Sequence, residues 1–148
     1  MVIGIGADEA GFALKKILIE DLQKRGLDVR DFGCFDESPV DYPDIGFAVA
    51  KAVQEGTLDR GILVCGTGIG MCIAANKVHG VSAALCHDVY SAGKARTSNN
   101  AQIITLGARV VGPELAKIIV ERFLESDFSG GNSARKVGKI TSFEDSAV

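Results

Sequence analysis

The chain has 148 residues, 47% of them apolar, and a formal net charge of −3. That length suits one domain with one core, and the apolar content is too high for a disordered chain. The charge provides no electrostatic attraction to nucleic acid, no apolar run reaches membrane-spanning length, and the N-terminus lacks the basic flank and cleavage site of a signal peptide.

In chain order, "VIGIGADEAG" opens with a short apolar strand that runs into Gly and Asp. "FALKKILIEDLQKRG" then has helical periodicity, with Phe12, Leu14, Ile17, Leu18 and Leu22 near one face and Gly26 as the stop. "LDVRDFG" is a second strand. A polar loop leads into a helix over "DYPDIGFAVAKAVQEG", ended by Gly56. "RGILVCG" is the third strand and "IGMCIAANKV" a short helix. "VSAALC" is the fourth strand, followed by a helix through "DVYSAGKART". "AQIITLG" is the fifth strand. A helix over "GPELAKIIVERFLES" places Pro113 near its start, where a missing N–H is harmless. "SARKVGKITSFEDS" is a weaker last helix. Five strands alternating with helices predict an α/β fold: a parallel sheet covered on both faces, in one domain over 1–148.

Ligands in such folds collect outside the carboxyl ends of the strands. Those ends carry Asp8-Glu9, Cys65-Gly66-Thr67, Cys86-His87 and Gly107-Ala108-Arg109. The stretch "VCGTGIG" joins a thiol to a glycine-rich helix start, whose backbone N–H groups suit a phosphate or a developing oxyanion. It lacks the Gly-Lys-Ser/Thr of a nucleotide-binding P-loop, and "GIGADEAG" has the wrong spacing for a dinucleotide fingerprint. The plain alternative is a tight turn that needs glycine for its backbone angles.

The four cysteines, Cys34, Cys65, Cys72 and Cys86, form no CxxC pair and, with His79 and His87, give no zinc spacing. Scattered free thiols fit a reducing cytoplasm. Cys72 and Cys86 read as buried packing residues. Cys65 stands before a helix start, which favours its thiolate as nucleophile or base. His87-Asp88 is the one candidate partner for nucleophilic catalysis, and His79 reads as a surface turn residue. Ser98, Asn99 and Asn100 could simply end a helix. Asp8-Glu9 could cap one, and Arg109, Arg135 and Lys136 could be solvated charges.

Taken together, "IGIGADEAGF", "DFG…VDYPD", "RGILVCGTGIGMCIAANKV", "ALCHDVYSA", "NNAQIITLGARVVGPELA" and "FSGGNSARKVGKI" resemble the type B ribose-5-phosphate isomerase and galactose-6-phosphate isomerase family nearly end to end. The resemblance implies a Rossmann-like three-layer αβα sandwich around a five-stranded parallel sheet. It implies a homodimer or homotetramer whose active sites lie between subunits, with a helical segment at about 132–146 packed on a neighbour. It implies no metal and no cofactor. The reaction is aldose–ketose isomerisation of a small phosphosugar through a cis-enediol(ate). Cys65 would be the base, with Thr67 supplying a hydroxyl and the backbone of Gly66, Gly68, Ile69 and Gly70 holding the oxyanion. Asp8 and Asn99 would hold substrate hydroxyls, Tyr42 would line the pocket, and Arg109 would bind the phosphate. Lys136 stands where the family has a second arginine, keeping charge but losing the bidentate fork.

Four positions depart from the family pattern. Glu9 replaces a histidine, Ser98 replaces the histidine credited with opening the sugar ring, and Asn132-Ser133 replace an Arg-His pair. Glu9, Ser98 and Asn132 remain candidate substrate contacts, with Glu9 facing a hydroxyl rather than the phosphate. Ribose 5-phosphate must open its furanose before it can isomerise, through solvent or through His87. A tetrose 4-phosphate cannot close that ring, because its O4 carries the phosphate. The family resemblance puts ribose 5-phosphate first. The absent histidine keeps erythrose 4-phosphate and erythrulose 4-phosphate beside it, ahead of a hexose 6-phosphate. A non-catalytic sugar-phosphate-binding subunit is the alternative of another class, and the intact Cys65-Gly66-Thr67 argues against it.

Overall fold

The computed structural model describes residues 1–147. The strands are β1 (Val2–Ala7), β2 (Asp28–Asp31), β3 (Arg60–Cys65), β4 (Ala83–Leu85) and β5 (Ile103–Gly107). The helices are α1 (Phe12–Lys24), α2 (Tyr42–Gln54), α3 (Ile69–Asn76), α4 (Val89–Thr97), α5 (Pro113–Glu125) and α6 (Asn132–Ser146). All sheet pairings are parallel, in the order β2-β1-β3-β5-β4. The predicted α/β class and five-stranded parallel sheet are therefore present.

Chain direction and handedness decide which helix covers which face. Right-handed crossovers are the rule for parallel strands. α2 and α3 both lead the chain toward β3 and β4, so they share a face; α1 and α4 lead back the other way and share the opposite face with α5. Two buried clusters follow this division. One joins Leu14, Leu18 and Leu22 of α1 to Ala92 of α4 and Ile119 and Phe123 of α5, against Ile3, Ile5, Ile62 and Ile104. The other joins Val49 of α2 and Met71 of α3 to Leu63, Cys65 and Ile103. The result is three layers.

The fourth strand is shorter than its apolar run predicts, because it forms the sheet's edge and pairs only from Ala83 to Leu85. Asn76 closes part of that open edge. Its Oδ1 accepts the Ala83 N–H and its Nδ2 donates to the Ala83 carbonyl, both at 2.9 Å. This is one way to blunt an unpaired strand.

α6 differs from the other helices in having no buried residue. Two contacts near its end tie it to the α3–β4 turn: the Gly80 N–H donates to Glu144 at 3.1 Å, and His79 pairs with Asp145 at 2.9 Å. Ile140 and Phe143 project into solvent.

Among the described residues two charged side chains are buried, Arg96 on α4 and Lys15 on α1. Lys15, on α1, is 1% exposed. Its Nζ donates to Asp31 Oδ1 and to the Cys34 carbonyl, each at 2.6 Å, and it lies 5.3 Å from the centre of the Phe35 ring. Asp31 also accepts the Gly33 N–H at 2.9 Å. A buried ammonium needs such partners, and here they shape the β2–α2 loop. Replacing Lys15 by Met is expected to destabilise the fold by roughly 2 kcal/mol, the partial exposure of Asp31 keeping the loss at the low end. A lower urea midpoint at unchanged m-value would be the readout.

Candidate active site

The sheet order creates crevices on both sides of the end of β3. The chain leaves β3 toward α3 on one face, and leaves β1 and β5 toward α1 and α5 on the other. Such divergence is where α/β folds bind ligands. Asp8, Tyr42, Cys65, Thr67 and Arg109 line a cleft of about 430 Å³ there, with Gly66, Gly70, Ile69 and Ile73.

Glycine makes this arrangement possible at specific points. Gly68 starts α3 with φ of 79°, and a Cβ there would lie 2.8 Å from the Leu106 backbone. A Cβ on Gly107 would lie 2.7 Å from the backbone of Thr67. A Cβ on Gly70 would occupy the Tyr42 ring, and one on Gly66 would approach Arg109 Nη1 to 3.2 Å. The loop thus sits directly on β5, with the phenol and the guanidinium laid against it. Thr105 on β5 fastens the other side, its Oγ1 donating to the Gly68 carbonyl at 2.8 Å.

Cys65 is buried, 5% exposed, and Sγ accepts the Gly68 N–H at 3.1 Å. That donor and the α3 N-terminus both stabilise negative charge on sulfur. Thr67 Oγ1 accepts the Ile69 N–H at 3.3 Å, leaving its own hydroxyl proton to donate outward. Among the described residues, the Gly70 and Met71 N–H groups have no protein acceptor; Met71 is buried, whereas Gly70 lines the cleft, where its N–H suits an anion. Of the remaining thiols, Cys72 is only partly buried rather than buried as its sequence context suggested, and it donates to the Ala83 carbonyl at 3.5 Å. Burial pushes Cys86 up to about 12 and also raises Cys34, which holds both in the neutral form.

Asp8 accepts the Gly11 N–H at 3.1 Å, and its carboxyl is raised above the usual range, mainly by burial and further by the adjacent Glu9. Glu9 turns away from the cleft. Its Oε2 accepts the Val40 N–H at 3.1 Å, a bond that lowers its carboxyl, and so it pins the β2–α2 loop. His87 is also outside the cleft lining, with Nε2 accepting the Gly107 N–H at 2.9 Å.

The remaining candidates lie elsewhere. Ser98 and Asn99 end α4, just before β5 begins, and so stand at the amino end of the sheet. Asn132 and Lys136 open α6 at that same end. Ser129 joins the two segments, its N–H and hydroxyl both donating to the Thr97 carbonyl, at 3.1 and 2.7 Å. The length of β5, about 16 Å at the usual rise, separates this group from Cys65 within one chain. Sequence reasoning overlooked Ile73, which lines the cleft one turn after Ile69; the signal was two isoleucines four apart, both exposed. Among the described residues, no group of three or more His, Cys, Asp or Glu is placed to hold a metal, and no helix is long and apolar enough to cross a membrane.

A thiol beside backbone donors, an acid and an arginine at the switch point of an α/β sheet has the parts that proton transfer next to an anionic group requires. The family model described as Ribose/Galactose Isomerase matches residues 3–140. The D-erythrulose-4-phosphate isomerase of Pectobacterium atrosepticum is 55% identical, covering 96% of this chain and 94% of its own. The ribose-5-P isomerase B of Listeria innocua is 53% identical, covering 93% of each. The solved structure of Clostridium thermocellum ribose-5-phosphate isomerase B superposes with a TM-score of 0.98 at 49% identity, over 100% of both chains. The chain belongs to the Ribose/Galactose Isomerase family.

Because the Asp8 carboxyl is raised, its ionised form costs stability above that value, and the cost disappears as pH falls through it. Asp8→Asn keeps an acceptor for Gly11 and removes the charge. It is expected to raise Tm by about a degree near pH 7 and to lose that advantage near pH 3. A lower Tm near pH 7 would mean that the Asp8 charge supports the fold.

Proposed function

We propose that the protein interconverts ribose 5-phosphate and ribulose 5-phosphate through a cis-enediolate, with Cys65 as the base. The observation that carries this reading is the buried Cys65 sulfur facing a helix start with open N–H groups. The thiolate removes the proton from C2 of the open-chain aldose and returns it to C1. Negative charge that develops on oxygen meets the N–H groups at the start of α3, each good donor contributing roughly 3 kcal/mol in the transition state. Thr67 and Asp8 can move the remaining proton between O2 and O1. Arg109 holds the phosphate and Tyr42 lines the sugar. No step needs a metal or a cofactor. Four free thiols fit a cytoplasmic enzyme. Solved relatives support the substrate class: the Mycoplasma genitalium ribose-5-phosphate isomerase B, with bound ribulose-5-phosphate, is 41% identical at a TM-score of 0.92.

The two groups of candidates at opposite ends of the sheet support a shared site. In a two-fold dimer, the amino-end group of one protomer, Ser98, Asn99, Asn132 and Lys136, meets the Cys65 cleft of the other, and the operation repeats to give two sites. The exposed Ile140 and Phe143 of α6 would then be covered by the neighbour. This makes 132–146 an arm of a single domain. Glu9 belongs in this scheme to the support of the loop before Tyr42. Mixing inactive Cys65→Ala with inactive Lys136→Ala protein and allowing subunit exchange is expected to restore part of the activity. An active monomer at working dilution would overturn the shared site.

A second reading has a specific observation behind it. Ser98 has no imidazole with which to open a furanose, and the 55%-identical relative carries the name D-erythrulose-4-phosphate isomerase. Turnover of tetrose, pentose and hexose phosphates decides between them. We expect the highest kcat/KM with ribose 5-phosphate, the ratio that measures specificity. A higher ratio with a tetrose 4-phosphate transfers the assignment to the open-chain substrate. In that case Ser98→His should raise ribose turnover by roughly a hundredfold where the ring reaches its oxygen.

A further inference from the structure

His87 was singled out by its place at a strand end, and the reaction makes no direct use of it. Its surroundings give it a task. β4 stops pairing with β5 at Leu85–Thr105, although the Cys86 N–H still reaches the Thr105 carbonyl at 3.1 Å. The chain then turns into α4, where Asp88 caps the Ser91 N–H at 2.7 Å. Two residues further along β5, the N–H of buried Gly107 faces the side where β4 would have continued. A buried N–H left without an acceptor is costly. His87 supplies the acceptor from its ring, Nε2 standing 2.9 Å from the Gly107 nitrogen. The bond requires the neutral ring with its proton on Nδ1.

Gly107 is also the root of the turn that carries Arg109. Its carbonyl accepts the N–H groups of Val110 and Val111, both at 3.0 Å. The next two N–H groups, of Ala108 and Arg109, reach back to the carbonyls of Cys65 and Gly66 at 2.8 and 3.0 Å. Its Cα lies against the Thr67 backbone, where no Cβ fits. We propose that His87 is a positioning residue for the phosphate-binding arm: by accepting the Gly107 N–H it fixes the turn that lays Arg109 over Gly66. This rests on the reading of Arg109 as the phosphate ligand.

The test uses the purified full-length protein, with inorganic phosphate as a competitive inhibitor that reports on the arm alone. His87→Leu removes the acceptor and is expected to weaken phosphate inhibition and raise KM about tenfold, with kcat within about threefold. His87→Gln places an amide near the Nε2 position and is expected to restore both. If His87→Leu does not fold, His87→Asn, too short to reach Gly107, should show the same loss. In an Arg109→Ala background, His87→Leu should add no further loss, because the two act through one arm. A fall in kcat with unchanged phosphate inhibition would overturn the proposal, as would a full additive loss in the double variant. Phosphate inhibition unaffected by Arg109→Ala would instead overturn the phosphate role of Arg109, and this inference with it.

Discussion

Two main chains touch where the end of β3 meets the end of β5. Thr67 lies on Gly107 and Gly68 lies on Leu106, with no room for a Cβ at either glycine. This contact brings the first turn of α3 down onto the sheet. Without it, the Gly70 N–H would stand away from the thiol, and the donors on which the proposed mechanism draws would be dispersed. Preorganised donors are effective because they do not have to reorganise during reaction. The Thr105 hydroxyl on the Gly68 carbonyl holds the same contact from below.

The rest of the cleft is fitted around that loop from two directions. From the β5 side comes the Arg109 turn. From the β2 side comes the loop before Tyr42, shaped by buried Lys15 within and by Glu9 at its surface. Both supports act on backbone groups, the Cys34 carbonyl and the Val40 N–H. Charged side chains here serve as braces for main chain, and they leave the cleft itself with few charges of its own, Asp8 and Arg109.

Much of this was legible in the sequence because glycine and proline mark where elements stop and start. Gly26, Gly56 and Pro113 bound their helices as predicted, and the thiol at the end of the third apolar run was visible as a strand-end group. Strand order was not legible, since it depends on a β3–β4 crossover that spans a position filled only later by β5. Lys15 looked like any polar helix residue. Its burial arises only when β2 places Asp31 opposite it. The direction of Glu9 and the bond of His87 depend on partners thirty-one and twenty residues away. No local pattern encodes such distant pairings.

Of the four departures from the family pattern, Ser98, Asn132 and Ser133 fall at the amino end of the sheet, and Glu9 lies outside the cleft lining. None falls in the glycine-locked loop between Cys65 and Gly70. The physical reason is that a Cβ at Gly68 would meet the Leu106 backbone and one at Gly66 or Gly70 the Arg109 or Tyr42 side chain, so adding a side chain at these glycines disturbs the scaffold. α6, by contrast, buries no residue within its own chain. On the proposed shared site, the groups that would select the sugar and the groups that would move the proton therefore sit at opposite ends of the sheet, so the first can vary while the second stays fixed.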